Sequence, residues 1–174
     1  MLRARATLPT IVALAVLVFV LPAATGVARS RLASDGSLLW ATVNVCDTAD
    51  HPDTIGIRGS MPGTGYRQQR MYMRFQLQYL ASFDDKKWHN IGAAGDSGWI
   101  DVGSAKYRQR QTGRNFTVRP PDTGAFRLRG AVTFEWRDGT EVVKRARLRT
   151  TAGHGNTAGA DPKGFSRASC VVTK

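Results

Sequence analysis

Residues 125–151, AFRLRGAVTFEWRDGTEVVKRARLRTT, decide the fold. Phe126, Leu128, Val132, Phe134 and Trp136 fall on one side of a period-two pattern, and Val142, Ala146 and Leu148 fall on the matching side of a return segment. That alternation, broken at Asp138-Gly139, predicts an antiparallel hairpin. Parity then constrains the turn. Even positions share a face across the hairpin only if the loop has an odd number of residues, so the expected loop is Arg137-Asp138-Gly139, with Gly139 left-handed in a bulge and Phe134 opposite Val142. The same register places Arg127 opposite Arg149 and Arg129 opposite Arg147 on the outer face, with Arg145 beside them. Glu135 and Glu141 lie near the turn and are expected to relieve little of that charge.

Alternation recurs upstream. Met71, Met73, Phe75, Leu77 and Tyr79 face one way, and Arg70, Tyr72, Arg74, Gln76 and Gln78 face the other, as in a half-buried strand. Leu39, Ala41, Val43 and Val45 repeat the pattern, and Thr54–Met61, Trp88–Ile91, Trp99–Val102 and Phe116–Val118 are shorter candidates, the last ended by Pro120-Pro121. No segment after residue 30 sustains apolar residues at helical spacing. The expected fold is all-β, an antiparallel two-sheet sandwich of seven to nine strands formed by a single domain over 38–174. Thr151–Gly164, TAGHGNTAGADPKG, reads as an exposed, mobile loop before a final strand.

Asp122-Thr123-Gly124-Ala125-Phe126-Arg127-Leu128 resembles the D-x-G-x-Y-x-[CV] signature at the corner that opens a late strand of immunoglobulin-like domains, and 125–151 is similar to the last hairpin of that fold. Phe126 stands where the signature has a tyrosine, and Leu128 where antibody domains carry a cysteine. The resemblance therefore implies an immunoglobulin-like or fibronectin-like sandwich. The wider layout, with one early cysteine and a terminal GFSRASCVV strand, is similar to small secreted bacterial proteins of unknown function, which implies fold and address alone.

The address is also written in the N-terminus. Arg3 and Arg5 precede an unbroken run of 11 apolar residues, Ile11–Leu21, which Pro22 ends, and small residues at Gly26 and Ala28 suit cleavage after Ala28. Residues 1–28 thus read as a secretory signal, and 29–37 as a lead-in. The alternative is a retained anchor, since Ala6–Ala28 carries no charge over 23 residues; a bilayer core is ~30 Å thick. In an exported chain Cys46 and Cys170 are expected to form a disulfide that ties the first strand to the last.

The chain has 174 residues, 42% hydrophobic and 22% charged, a balance that excludes disordered, collagenous and disulfide-dense classes. Its charge is the anomaly: 25 Lys+Arg against 13 Asp+Glu give +12, of which +10 remains without Arg3 and Arg5. Such a chain is drawn to polyanions. Arg127, Arg129, Arg145, Arg147 and Arg149 form the candidate anion-binding face, with Arg108 and Arg110 as outlying members. Arginine forks suit phosphate or carboxylate, so the expected partners are an anionic envelope polymer, a lipid head group or an acidic protein. The competing explanation is a solvated face whose charges deter edge pairing. Nucleic acid is disfavoured because the protein is exported and its arginines have no evident interleaved aromatics; a membrane partner is expected only if the N-terminal segment is retained.

Catalytic and metal signatures are missing. His51, His89 and His154 form no zinc-type pair, and Asp47, Asp50 and Asp53 around His51 have turn spacing, not that of a calcium loop. Gly95-Asp96-Ser97-Gly98 lacks a nucleophile elbow, and no phosphate-binding glycine loop occurs. No cofactor and no catalytic residue are assigned. The sequence reads as an exported, non-enzymatic binding or structural module. The alternative is a secreted enzyme or inhibitor whose site lies in 81–101, where His89 would have to meet Asp84, Asp85, Asp96 or Asp101 in one pocket.

Overall fold

The computed structural model describes residues 38–174 except 83 and 121. The expected signal, 1–28, and lead-in, 29–37, lie outside the described residues. Nine strands follow: β1 Trp40–Thr48, β2 His51–Pro62, β3 Gln69–Leu80, β4 Trp88–Asn90, β5 Asp96–Ser104, β6 Gln109–Thr117, β7 Ala125–Asp138, β8 Glu141–Arg149 and β9 Cys170–Thr173. A 3-10 turn occupies Gly92–Gly95. Every strand ladder is antiparallel. One sheet is β1-β2-β6; in the other, β3 and β7 form the central pair, β4 and β5 share the far edge of β3, and β8 and β9 share the far edge of β7. The protein is an all-β, two-sheet sandwich.

Alternation builds the core. Met71, Met73, Phe75 and Leu77 of β3 and Leu128, Val132, Phe134 and Trp136 of β7 face Ala41, Val43, Ile55, Ile57, Met61 and Phe116 of the smaller sheet, and all are buried. The indole N–H of Trp136 donates to the carbonyl of Pro62 at 2.8 Å, so the largest core side chain leaves no orphaned donor.

Two bulges set the outcome of the parity arguments. In β1 the register shifts between Val43, opposite Ile57, and Val45, opposite Gly56. The extra residue reverses the alternation, so Cys46 turns inward, although simple parity would place it beside Thr42 on the outside. Cys46 thereby reaches Cys170 of β9, and the two form a disulfide across the sheets with a Cα–Cα distance of 5.4 Å. The second bulge corrects the hairpin. Asp138 pairs with Glu141, so the loop is the two residues Gly139-Thr140, and the odd residue lies at Val143, between the pairs Arg137–Val142 and Trp136–Lys144. Gly139 is left-handed, with φ 56°. Phe134 therefore faces Ala146, not Val142, and Val142 is turned outward and 38% exposed.

The 151–164 segment is a largely exposed loop, as its composition suggests, and it is tied down over β1. β8 leaves β7 at Thr150, and β9 resumes the same edge at Cys170. The hydroxyl of Thr150 donates to the carbonyl of Ala168 at 2.6 Å across the neck of this excursion. The intervening chain lies over β1: Arg167 and Val43 exchange amide bonds, the Asp161 amide donates to the carbonyl of Asn44, Thr42 and Ser166 share a hydroxyl bond of 2.7 Å, and His154 stacks on Trp40 at 4.7 Å. Asn44 Nδ2 donates to the carbonyl of Gly159. Glycine and small polar residues let this strap approach a polar sheet face closely, and that is why Thr42 and Asn44 are buried.

Candidate anion-binding face

The odd residues of β7 and the even residues of β3 share the outer face of the six-stranded sheet, because their register runs without a break from Gln69–Asp138 to Tyr79–Leu128. Arg145, Arg147 and Arg149 of β8 lie opposite Glu135, Thr133 and Ala131 on that side. Arg127, Arg129, Arg145, Arg147 and Arg149 thus project from one surface. Their expected pairing is corrected: Arg127 lies opposite Val171 of β9, and Arg129 is paired with Gln78 of β3. The cause is the turn at Gly139-Thr140 together with the bulge at Val143, which slides β8 by four residues along β7 so that Arg147 and Arg149 fall opposite Thr133 and Ala131 and leave the first residues of β7 to β9. Arg110, by contrast, belongs to β6 of the smaller sheet, with its guanidinium 4.2 Å from the Tyr107 ring.

Part of the charge is neutralised. Glu135 is only 1% exposed and binds two arginines: Arg137 donates to Oε2 from Nε at 2.8 Å and from Nη2 at 2.6 Å, and Arg145 donates to Oε1 at 2.7 and 2.5 Å. This reverses the expectation that Glu135 relieves little. Arg70 binds Asp101 at 2.6 Å, and Arg74 binds Asp96. Hydrogen bonds from Arg74 hold the Asp96 carboxyl below the usual carboxylate range.

Three arginines of the face have no carboxylate partner among the described residues. Among the described residues, no carboxylate lies within ion-pair distance of Arg129, Arg147 or Arg149. Arg129 donates to Gln78 Oε1 and Arg147 to Gln76 Oε1, both at 2.9 Å, and both acceptors are neutral amides. Burial, with the like charge of Arg149 added, pulls Arg129 down to about 10, so it remains a cation at neutral pH. Ala131, 2% exposed, floors a depression of ≈ 630 Å³ walled by Gln78, Arg147 and Arg149. A larger residue at 131 would fill it.

Aromatic rings stand among these arginines, which overturns the expectation drawn from the sequence. Arg129 lies 4.1 Å over Trp88; Arg137 lies 4.2 Å from the Tyr72 ring and 4.9 Å from that of Trp99. Strands β4 and β5 bring Trp88 and Trp99 to the face, opposite Leu80 and Arg74. Nothing in the local sequence announces that register. Gln76 and Gln78, visible as the polar half of the β3 alternation, were the readable signal for the acceptors.

Of the four carboxylates that the 81–101 alternative requires near His89, one comes within ion-pair distance among the described residues. His89 Nε2 lies 3.7 Å from Asp85, while Asp96 and Asp101 are engaged by arginines on the outer face. In the β1–β2 turn Asp47 accepts from the amide of Asp53 at 2.8 Å, and His51 lies 3.0 Å from Asp161 of the strap. No family model, no curated protein and no solved structure matches this chain.

Proposed function

We propose that the chain is an exported, non-enzymatic immunoglobulin-like or fibronectin-like module of the cell envelope or extracellular space that holds an anionic polymer on its outer arginine face. The strand order supports the fold assignment: β1-β2-β6 against β8-β7-β3 with β4 and β5 corresponds to strands A-B-E against G-F-C-C′ of such sandwiches. Asp122-Thr123-Gly124 then sits at the β6–β7 corner, the place of the signature it resembles. Export is supported by the 1–28 pattern and by the disulfide. Mass spectrometry of the mature N-terminus tests it, with Arg29 expected as the first residue.

One observation carries the binding assignment. Arg147 and Arg149 border one depression with Gln78, whose amide holds the neighbouring Arg129; Arg129 and Arg147 are both held by neutral amides, so their charge is left for a ligand while their geometry is fixed. A polymer with repeating phosphate or carboxylate groups engages several forks at once, which favours it over a single head group. The test is binding of long-chain polyphosphate to the parent and to an Arg129→Gln/Arg147→Gln double variant. Parent binding weakens steeply as salt rises, and the folded double variant binds less and with a shallower salt slope. Equal binding by the two, or no parent affinity at low salt, refutes the assignment; binding to phosphatidylglycerol vesicles alone replaces the polymer by a lipid head group.

A further inference from the structure

The two flanks of the sandwich differ. One is closed by the Cys46–Cys170 bridge and the strap over β1. On the other, the edge strands β6 and β4 leave a cleft of ≈ 680 Å³ between the sheets, within the ~300–1,000 Å³ range of small-molecule sites. Its floor is Leu77 and Leu128, which belong to the core. Ile91 and Phe126 continue the apolar wall. Phe126 is the residue that stands where the corner signature has a tyrosine, and Tyr79 contributes the one phenol among the described lining residues. Arg119, exposed just past the end of β6, is the one charged side chain among the described lining residues; Asn90 also lines the cleft, with its Oδ1 accepting from Gln78 Nε2 at 2.9 Å.

We infer that this cleft binds a single-chain amphiphile with an anionic head, a medium-chain carboxylate, its alkyl chain against Leu77, Leu128 and Phe126 and its head at Arg119. The wall chemistry selects the chain: Leu77, Ile91, Val118, Phe126 and Leu128 give an apolar surface continuous with the core, where an alkyl chain gains contact, while Tyr79, Asn90 and Thr117 are its polar members. The sign of the head follows from Arg119, whose fork pairs with a carboxylate and repels an ammonium. The site is separate from the arginine face, since Leu77 and Leu128 point into the sandwich while Gln78 and Arg129 point out of it.

The experiment uses dodecanoate, dodecanol and dodecyltrimethylammonium as competitors for 11-(dansylamino)undecanoic acid below their micelle concentrations. The probe brightens on binding, and dodecanoate displaces it better than dodecanol or the ammonium. Arg119→Gln weakens dodecanoate about tenfold, the effect of losing one charge-assisted hydrogen bond, and leaves dodecanol unchanged. Ala94→Trp, which places a large ring at the lip, abolishes both. The Arg129→Gln/Arg147→Gln variant binds dodecanoate as the parent does, and Arg119→Gln binds polyphosphate as the parent does, so either assignment can fail without the other. Absence of probe binding, equal binding of the ammonium, or indifference to Ala94→Trp overturns the inference. Titration with vesicles of the matching phospholipid separates a membrane source of the chain from a dissolved one: a cleft this size extracts the single-chain acid and leaves two-chain lipid in the vesicle.

Discussion

Replacing Glu135 with Gln separates the two roles of charge on the outer face. The side chain keeps its shape, but its carboxylate loses the charge that holds Arg137 and Arg145. Hydrogen bonds to a charged group contribute ~1.5–3 kcal/mol each. Arg137 is only 23% exposed, so nearly the full value applies to it, whereas Arg145 is 63% exposed and rehydrates, so its pair counts for little. The expected loss is about 2–3 kcal/mol, or about 8–12 °C in melting temperature for a domain of this size. Urea unfolding followed by tryptophan fluorescence, with Trp136 as the buried reporter, reads the loss as a lower midpoint at unchanged slope. Polyphosphate binding by the same variant should tighten at low salt, because the face gains one net positive charge. A variant as stable as the parent, or a folded variant that binds polyphosphate more weakly, refutes the reasoning.

His154 stacks on Trp40 in its neutral form, and burial lowers its pKa. The strap is accordingly at full stability above the ordinary histidine value of 6.5 and loses it as pH falls through the lowered value; hydrogen exchange at the Val43 and Arg167 amides should accelerate on acidification, and His154→Phe should remove that dependence. Gly130→Ala would put a Cβ 2.7 Å from Ile57 Cγ2 and 2.8 Å from Thr150 Cγ2, and it should cost ~1–3 kcal/mol in urea unfolding. Gly139→Ala meets no atom within 4 Å and should cost only the left-handed strain, about 1 kcal/mol. Loss of the disulfide in a Cys46→Ala/Cys170→Ala variant removes a crosslink spanning 124 residues and should lower stability by roughly 5 kcal/mol at most on the chain-entropy model, measured by the same unfolding experiment.

Side-chain alternation was legible wherever a strand has one buried and one open face, as in β3 and β7. It was faint in β6, whose QRQTGRNFT has polar residues on both faces, the strand being a sheet edge whose Gln111 bonds to the strap at Asn156 and Ala158. Bulges were the other obstacle. Parity demanded one extra residue in the hairpin, but whether it falls in the turn or at Val143 depends on the twist and packing of β8 against β7, not on local composition. The docking of the strap was hidden for a related reason: its glycine and threonine content signals the loop that it is, and only the polar outer face of β1, with Thr42 and Asn44, hints that the loop covers it. At the candidate face the arginines themselves were readable from odd parity. Of their partners only Gln76 and Gln78 were readable, as the polar half of β3; Glu135, Trp88 and Trp99 join them through pairings of β7, β4 and β5 with β3.

The claim that a polyanion lies over Ala131 is tested most directly by NMR mapping, with backbone amide and arginine Nε–Hε shifts followed as a short polyphosphate of defined length is titrated at low salt. The account expects the largest changes at Arg129, Ala131, Arg147 and Arg149, their reversal on addition of salt, and little change at Trp40 or Ile57 on the smaller sheet. Changes centred on the end loops or on the strap, with Arg129 and Arg147 unmoved, would contradict it.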